Sequence, residues 1–192
     1  MTPFTLFAEN GLVELVQMLA LALGALAFGL SATVTRAPGG PLLMLGATTM
    51  GVAALREFDL ETGSAVLAYF ASPLPRTQLA VLGLLGAAWL ALRRPLVGPR
   101  RHLAAVAPLA PALLAAAGLV AIGDGLEKLD LANPAGLALE ELLELVGYAL
   151  ATAVGLRTAV RVIRRPGRPP WRRVTLPEGP ALTPLAPGTS LR

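Results

Sequence analysis

Apolar residues in this chain fill whole stretches, and polar residues break in only as short clusters. Cutting at the Pro, Gly and charge clusters leaves five apolar stretches, at 11–34, 41–59, 77–92, 103–123 and 137–158. A helix needs about 20 apolar residues to cross about 30 Å of hydrocarbon, so each stretch is near the length of one crossing. The pattern predicts an all-α fold, a polytopic transmembrane helix bundle of five spans. The third stretch is short and needs its flanks or local thinning of the bilayer. Residues 1–163 form the predicted bundle, and 164–192, "RRPGRPPWRRVTLPEGPALTPLAPGTSLR", read as a basic, Pro-rich, disordered cytoplasmic tail.

Composition agrees: 55% of the 192 residues are hydrophobic and 15% charged, against about 25% charged in a soluble domain. The absence of cysteine excludes disulfides, thiolate metal sites and thiol catalysis. One histidine, His102 in "RRPLVGPRRHL", is too few for paired-histidine zinc or bis-histidine haem, and its basic loop is no setting for a Ser-His triad. His102 reads as a solvated loop residue. No GxGxxG, Walker or zinc spacing occurs, so no cofactor is expected. The N-terminus "MTPFTLFAENG" lacks a basic region before its apolar run, which argues against a cleaved signal peptide.

Lysine and arginine gather on the cytoplasmic side of membrane proteins. Five spans put Arg36, the arginines 93, 94, 100 and 101, and the seven from Arg157 to Arg173 on one side. The other side holds only Arg56, Arg76 and Lys128. The predicted topology is N-terminus out and C-terminus in, in a bacterial inner (plasma) membrane. This sorting accounts for the net charge of +4 without a nucleic-acid partner. The acids divide the same way, with only Glu178 inside.

One segment needs its own explanation. "ALREFDLE" (54–61) ends the second span with Arg56, Glu57, Asp59 and Glu61. At about 1.5 Å per residue from Pro41, Arg56 lies about 22 Å along the span, still in the outer leaflet. It is expected to be buried among helices, facing carboxylates. Glu14, flanked by Gln17, and Glu144 enter from outside on the first and fifth spans and reach a similar depth. At 100° per residue, Glu140, Glu144, Gly147, Tyr148, Ala151 and Gly155 share a face of the fifth span. Its Gly147-Ala151-Gly155 ridge suits close helix contact. On the second span Thr49, Arg56 and Asp59 share a side. The candidate polar cluster is therefore Glu14, Gln17, Arg56, Glu57, Asp59, Glu140, Glu141, Glu144 and Tyr148. "VELVQMLALALG" (13–24) and "LELVGYALATAVG" (143–155) also align at their glutamates, a faint internal echo.

The motifs E-N-G-x-x-E at Glu9 to Glu14, R-E-x-D at Arg56 to Asp59, and E-E-x-x-E-L-x-G-Y at Glu140 to Tyr148 resemble a group of small multi-pass bacterial membrane proteins that carry no established activity. The resemblance spans roughly the first 150 residues and implies only the class. The contrast is with intramembrane hydrolases of the alkaline-ceramidase-like group, whose metal site rests on several histidines.

Three readings of the cluster follow. In the first it is a buried ion-pair network that fixes which helices meet; desolvation can cancel the Coulomb gain, yet such a network can specify an arrangement. The acids outnumber Arg56, which opens a second reading. Here the surplus carboxylates hold protons, a cationic solute, or a hard divalent cation such as Ca²⁺, Mg²⁺ or Mn²⁺ in a transporter-like protein. In the third the chain is a non-catalytic membrane subunit or assembly factor, with a membrane-protein partner or a second copy besides the lipid bilayer. Trp171, Arg172 and Arg173 suit an anionic membrane surface. Acid–base catalysis by two carboxylates fits the residue types, but carboxylate pairs are too common to indicate an enzyme.

Overall fold

The computed structural model describes residues 12–35, 38–57, 69–70, 72–93, 98–128 and 134–164. Among them the fold is all-helical: α1 (Leu12–Val34), α2 (Gly40–Arg56), α3 (Pro73–Leu92), α4 (Pro99–Val106), a 3-10 turn (Ala107–Leu109), α5 (Ala110–Lys128) and α6 (Pro134–Arg164). Three segments are long and apolar enough to cross a membrane, Leu12–Val34, Pro73–Leu92 and Pro99–Leu126. The expected tail from residue 165 onward and Asp59 of the candidate cluster lie outside the described residues.

Prolines set the boundaries that differ from the expected ones. The third stretch begins at Pro73, not at residue 77, with Ser72 as its N-cap. A proline in the first helical turn removes no intrahelical hydrogen bond, so "PLPR" opens the helix and does not break it. The fourth stretch starts at Pro99 and runs on through a 3-10 turn. Pro108 lacks the N–H that would reach the Ala104 carbonyl, and Pro111 the one that would reach Ala107, so the backbone tightens there. The last helix continues to Arg164, because arginine is a good helix former and its arginines are exposed.

In space the helices pack in the order α3, α2, α1, α6, α5, with α4 touching α2. Side chains curl this row, since Leu113 and Val120 of α5 pack on a core of Leu21, Phe28, Leu43, Met50, Ala54 and Tyr148. Glycines bring the backbones together. A methyl at Gly147 would lie 2.8 Å from the Ala116 carbonyl oxygen, and one at Gly155 3.3 Å from that of Gly24. Gly24 and Gly155 thus meet at a close α1–α6 contact. Close approach through small residues suits helices that meet in lipid, where no hydrophobic force draws them together. The exterior is correspondingly apolar, with Leu26, Leu92 and Leu114 more than 70% exposed.

The helices give the bundle two unlike ends. Arg93, Arg100, Arg101, Arg157, Arg161 and Arg164 mark one, where His102 is half-buried and its Nδ1 donates to the Pro38 carbonyl. His102 is therefore no solvated loop residue: it ties the start of α4 to the turn before α2. Glu14, Glu57, Asp124, Glu140, Glu141 and Glu144 mark the other end.

Candidate functional site

The acidic end is built from the ends of α1, α2, α5 and α6. Gln17, one turn into α1 and 1% exposed, donates from Nε2 to Glu141 Oε2 at 2.8 Å and to the Glu141 carbonyl at 3.2 Å. Tyr148 on α6 donates its hydroxyl to Glu57 Oε1 at 3.2 Å, joining α6 to the C-cap of α2. Arg56 Nη2 donates to Asp124 Oδ1 at 3.1 Å, joining α2 to α5. One turn below Tyr148, Thr152 donates to the Ala20 carbonyl at 2.7 Å. Each contact is local, and each crosses between helices distant in sequence.

Arg56 differs from expectation. Its side chain is 53% exposed, and the acid on it is Asp124. The helix ends at Arg56, so the long side chain reaches the rim and does not turn inward among the helices. Thr49 is exposed as well and donates to the Leu45 carbonyl of its own helix, so it takes no part in the cluster. The side of α2 that carries Thr49 and Arg56 is not the packed side, which holds Leu43, Met50 and Ala54.

The face of α6 fares differently. Glu144, Gly147, Tyr148 and Gly155 are buried, while Glu140, Glu141 and Ala151 are half-buried. Glu14, in the first turn of α1, is half-buried and acts electrostatically on Glu57 and Glu141. The structure thus brings Gln17, Glu57, Glu140, Glu141, Glu144 and Tyr148 together around one end of the α1–α6 seam, with Arg56 at the rim.

Two participants were missed from the sequence. Asp124 was grouped only with the outward acids, although "GDG" at the end of α5 lies at the level of Arg56 on a helix running the same way. Arg76, in the first turn of α3, donates from Nε to the Leu55 carbonyl at 3.1 Å and from Nη2 to that of Arg56 at 3.4 Å. It closes the C-terminus of α2, whose last carbonyls have no intrahelical partner. Its signal was an arginine in the first turn of a helix antiparallel to α2.

Among the described residues no three His, Cys, Asp or Glu side chains are arranged to hold a metal ion. Away from the cluster, an apolar groove of about 660 Å³ runs between α1, α2 and α3, lined by residues such as Met18, Leu26, Met44, Gly51 and Leu82. Comparison with known proteins found no matching family model, no matching curated protein and no matching solved structure.

Proposed function

We propose that the chain is a multi-pass protein of the bacterial inner membrane, with five spans, the N-terminus outside and the C-terminus in the cytoplasm. In this reading it has no catalytic role, and its acidic outer end is a polar network that fixes the helix arrangement. The observation that carries it is the set of three links at one end, Gln17–Glu141, Tyr148–Glu57 and Arg56–Asp124, which fasten α1 to α6, α6 to α2 and α2 to α5. In lipid such contacts supply directional attraction that apolar side chains cannot. The basic end supports the orientation, since its arginines are exposed and suited to the cytoplasmic interface. The 17 residues of α2 rise about 26 Å and the 31 of α6 about 46 Å, which supports counting both as spans.

Reporter fusions test the topology. A fusion after Arg173 is expected to be active only in the cytoplasm, and a tag at residue 2 to be reachable only from outside. Periplasmic activity of the C-terminal fusion overturns the orientation. Replacing Arg100, Arg101, Arg161 and Arg164 together by Gln is expected to mix the orientations while leaving the melting temperature of the correctly inserted fraction unchanged.

A second reading, binding of a proton or cation at the acidic end, is favoured by Glu144. This residue is buried, yet it belongs to none of the three links.

A further inference from the structure

Glu144 is 8% exposed, and no hydrogen bond or ion pair joins it to another described residue. It lies at the α5–α6 contact, where Gly123 leaves room for it: a methyl there would come within 2.8 Å of Glu144 Cγ. From α2 it faces Glu57 and Arg56, and along α6 Glu140, Glu141 and Tyr148. On α5 Asp124 holds Arg56, and α1 contributes Glu14 and Gln17 beside Glu141. The surroundings are thus mostly anionic, and the guanidinium among them is bound elsewhere. No buried side-chain oxygen among the described residues lacks a hydrogen-bond partner, so the carboxyl oxygens of Glu144 are the part of it that reaches the surface at the acidic end. There, beside several carboxylates, the ionised form is more costly than the neutral acid.

We propose, as a sharpening of the second reading, that Glu144 is a proton-binding carboxyl which exchanges one proton with the medium at the acidic end and does not pass it through the bundle. The way onward is closed. Tyr148 gives its hydroxyl proton to Glu57, Thr152 gives its own to the Ala20 carbonyl, and beyond them Leu21 and Phe28, each 2% exposed, fill the seam. Nearer the basic end, Ser31 and Thr158 do not extend a relay, because they donate to carbonyls of their own helices.

Dicyclohexylcarbodiimide, which attacks protonated carboxyls in apolar surroundings, is the probe. The full chain is reconstituted in vesicles, labelled at a series of pH values, and mapped by peptide mass spectrometry. The adduct is expected on Glu144, rising several-fold from neutral to mildly acidic pH, and lost in Glu144→Gln, an isostere of the neutral acid. With different pH on the two sides, labelling should follow the compartment at the acidic end, and a pH-sensitive dye should detect no proton flux above that of Glu144→Gln. Wild-type labelling on Glu57 or Glu141 instead, labelling independent of pH, or flux above the control overturns the proposal without any need for the variant to fold. Protection by Ca²⁺, Mg²⁺ or Mn²⁺ at fixed pH overturns the proton assignment but leaves the cation reading standing.

Discussion

The two ends of the bundle use polar residues in opposite ways. At the acidic end, side chains set into the helix faces bond across the seams: Gln17 to Glu141, Tyr148 to Glu57, Thr152 to the Ala20 backbone. At the basic end the arginines stay on the exterior, where Arg93 lies 3.6 Å from the ring centroid of Trp89, and the buried hydroxyls of Ser31 and Thr158 fold back on their own helices. A contact between helices fixes a distance and a register, whereas one within a helix fixes neither. Side-chain links between the long helices are therefore concentrated at the acidic end, while at the basic end His102 ties α4 to the turn before α2 and the arginines orient the chain.

The largest expected effect comes from the close contact beneath the acidic cluster. Gly147→Leu drives a side chain into the Ala116 carbonyl, which has no room to retreat, and should cost about 3 kcal/mol or more of stability. The same change at Gly118, where nothing lies within 4 Å, should leave the melting temperature in detergent almost unchanged. Equal losses would mean that the glycines matter for backbone freedom and not for approach.

A medium effect should separate the ends directly. Gln17→Leu removes both donations to Glu141 from a fully buried position and should cost about 2 kcal/mol, since acceptors are stranded. Ser31→Ala, equally buried but bonded only to Ala27 of its own helix, should cost less than about 1 kcal/mol. Thermal unfolding of the two variants side by side gives the ratio, and a larger loss from Ser31→Ala would erase the contrast between the ends.

The smallest effect is expected at Arg56. Were this arginine the buried counter-charge of the cluster, Arg56→Met would be severe. As a half-exposed partner of Asp124 it is worth under about 1 kcal/mol, in the range of surface ion pairs. A loss of several kcal/mol, restored by the further change Asp124→Asn, would show that the pair behaves as a buried one.

Much of the fold could be read from the sequence because the long helices are mostly apolar, so their existence did not depend on their neighbours. The packed face of α6 could be read as well, since the spacing of Glu144, Tyr148 and Gly155 is a property of one helix. What stayed hidden is relational. The partner of Arg56 depends on α5 coming close to α2, and nothing within either segment encodes that. Arg76 closing α2 is of the same kind. Thr49 and Arg56 do share a side of α2, but it is the outer one: Leu43, Met50 and Ala54 hold the packed side, and a threonine satisfied by its own helix can face outward freely.

Phe28 also bears on the tempo of the molecule. Its ring lies between Gly46 of α2 and Gly155 of α6, with a methyl at either position falling 3.7 Å and 3.1 Å from ring carbons. A methyl at Gly46 would be in ordinary contact with the ring, whereas one at Gly155 would press on it, so the α6 side is the tighter wall against a half-turn of the ring. The flip rate of one aromatic side chain, read by nuclear magnetic resonance on ring-labelled phenylalanine, therefore serves as a clock for the opening of the α1–α6 contact.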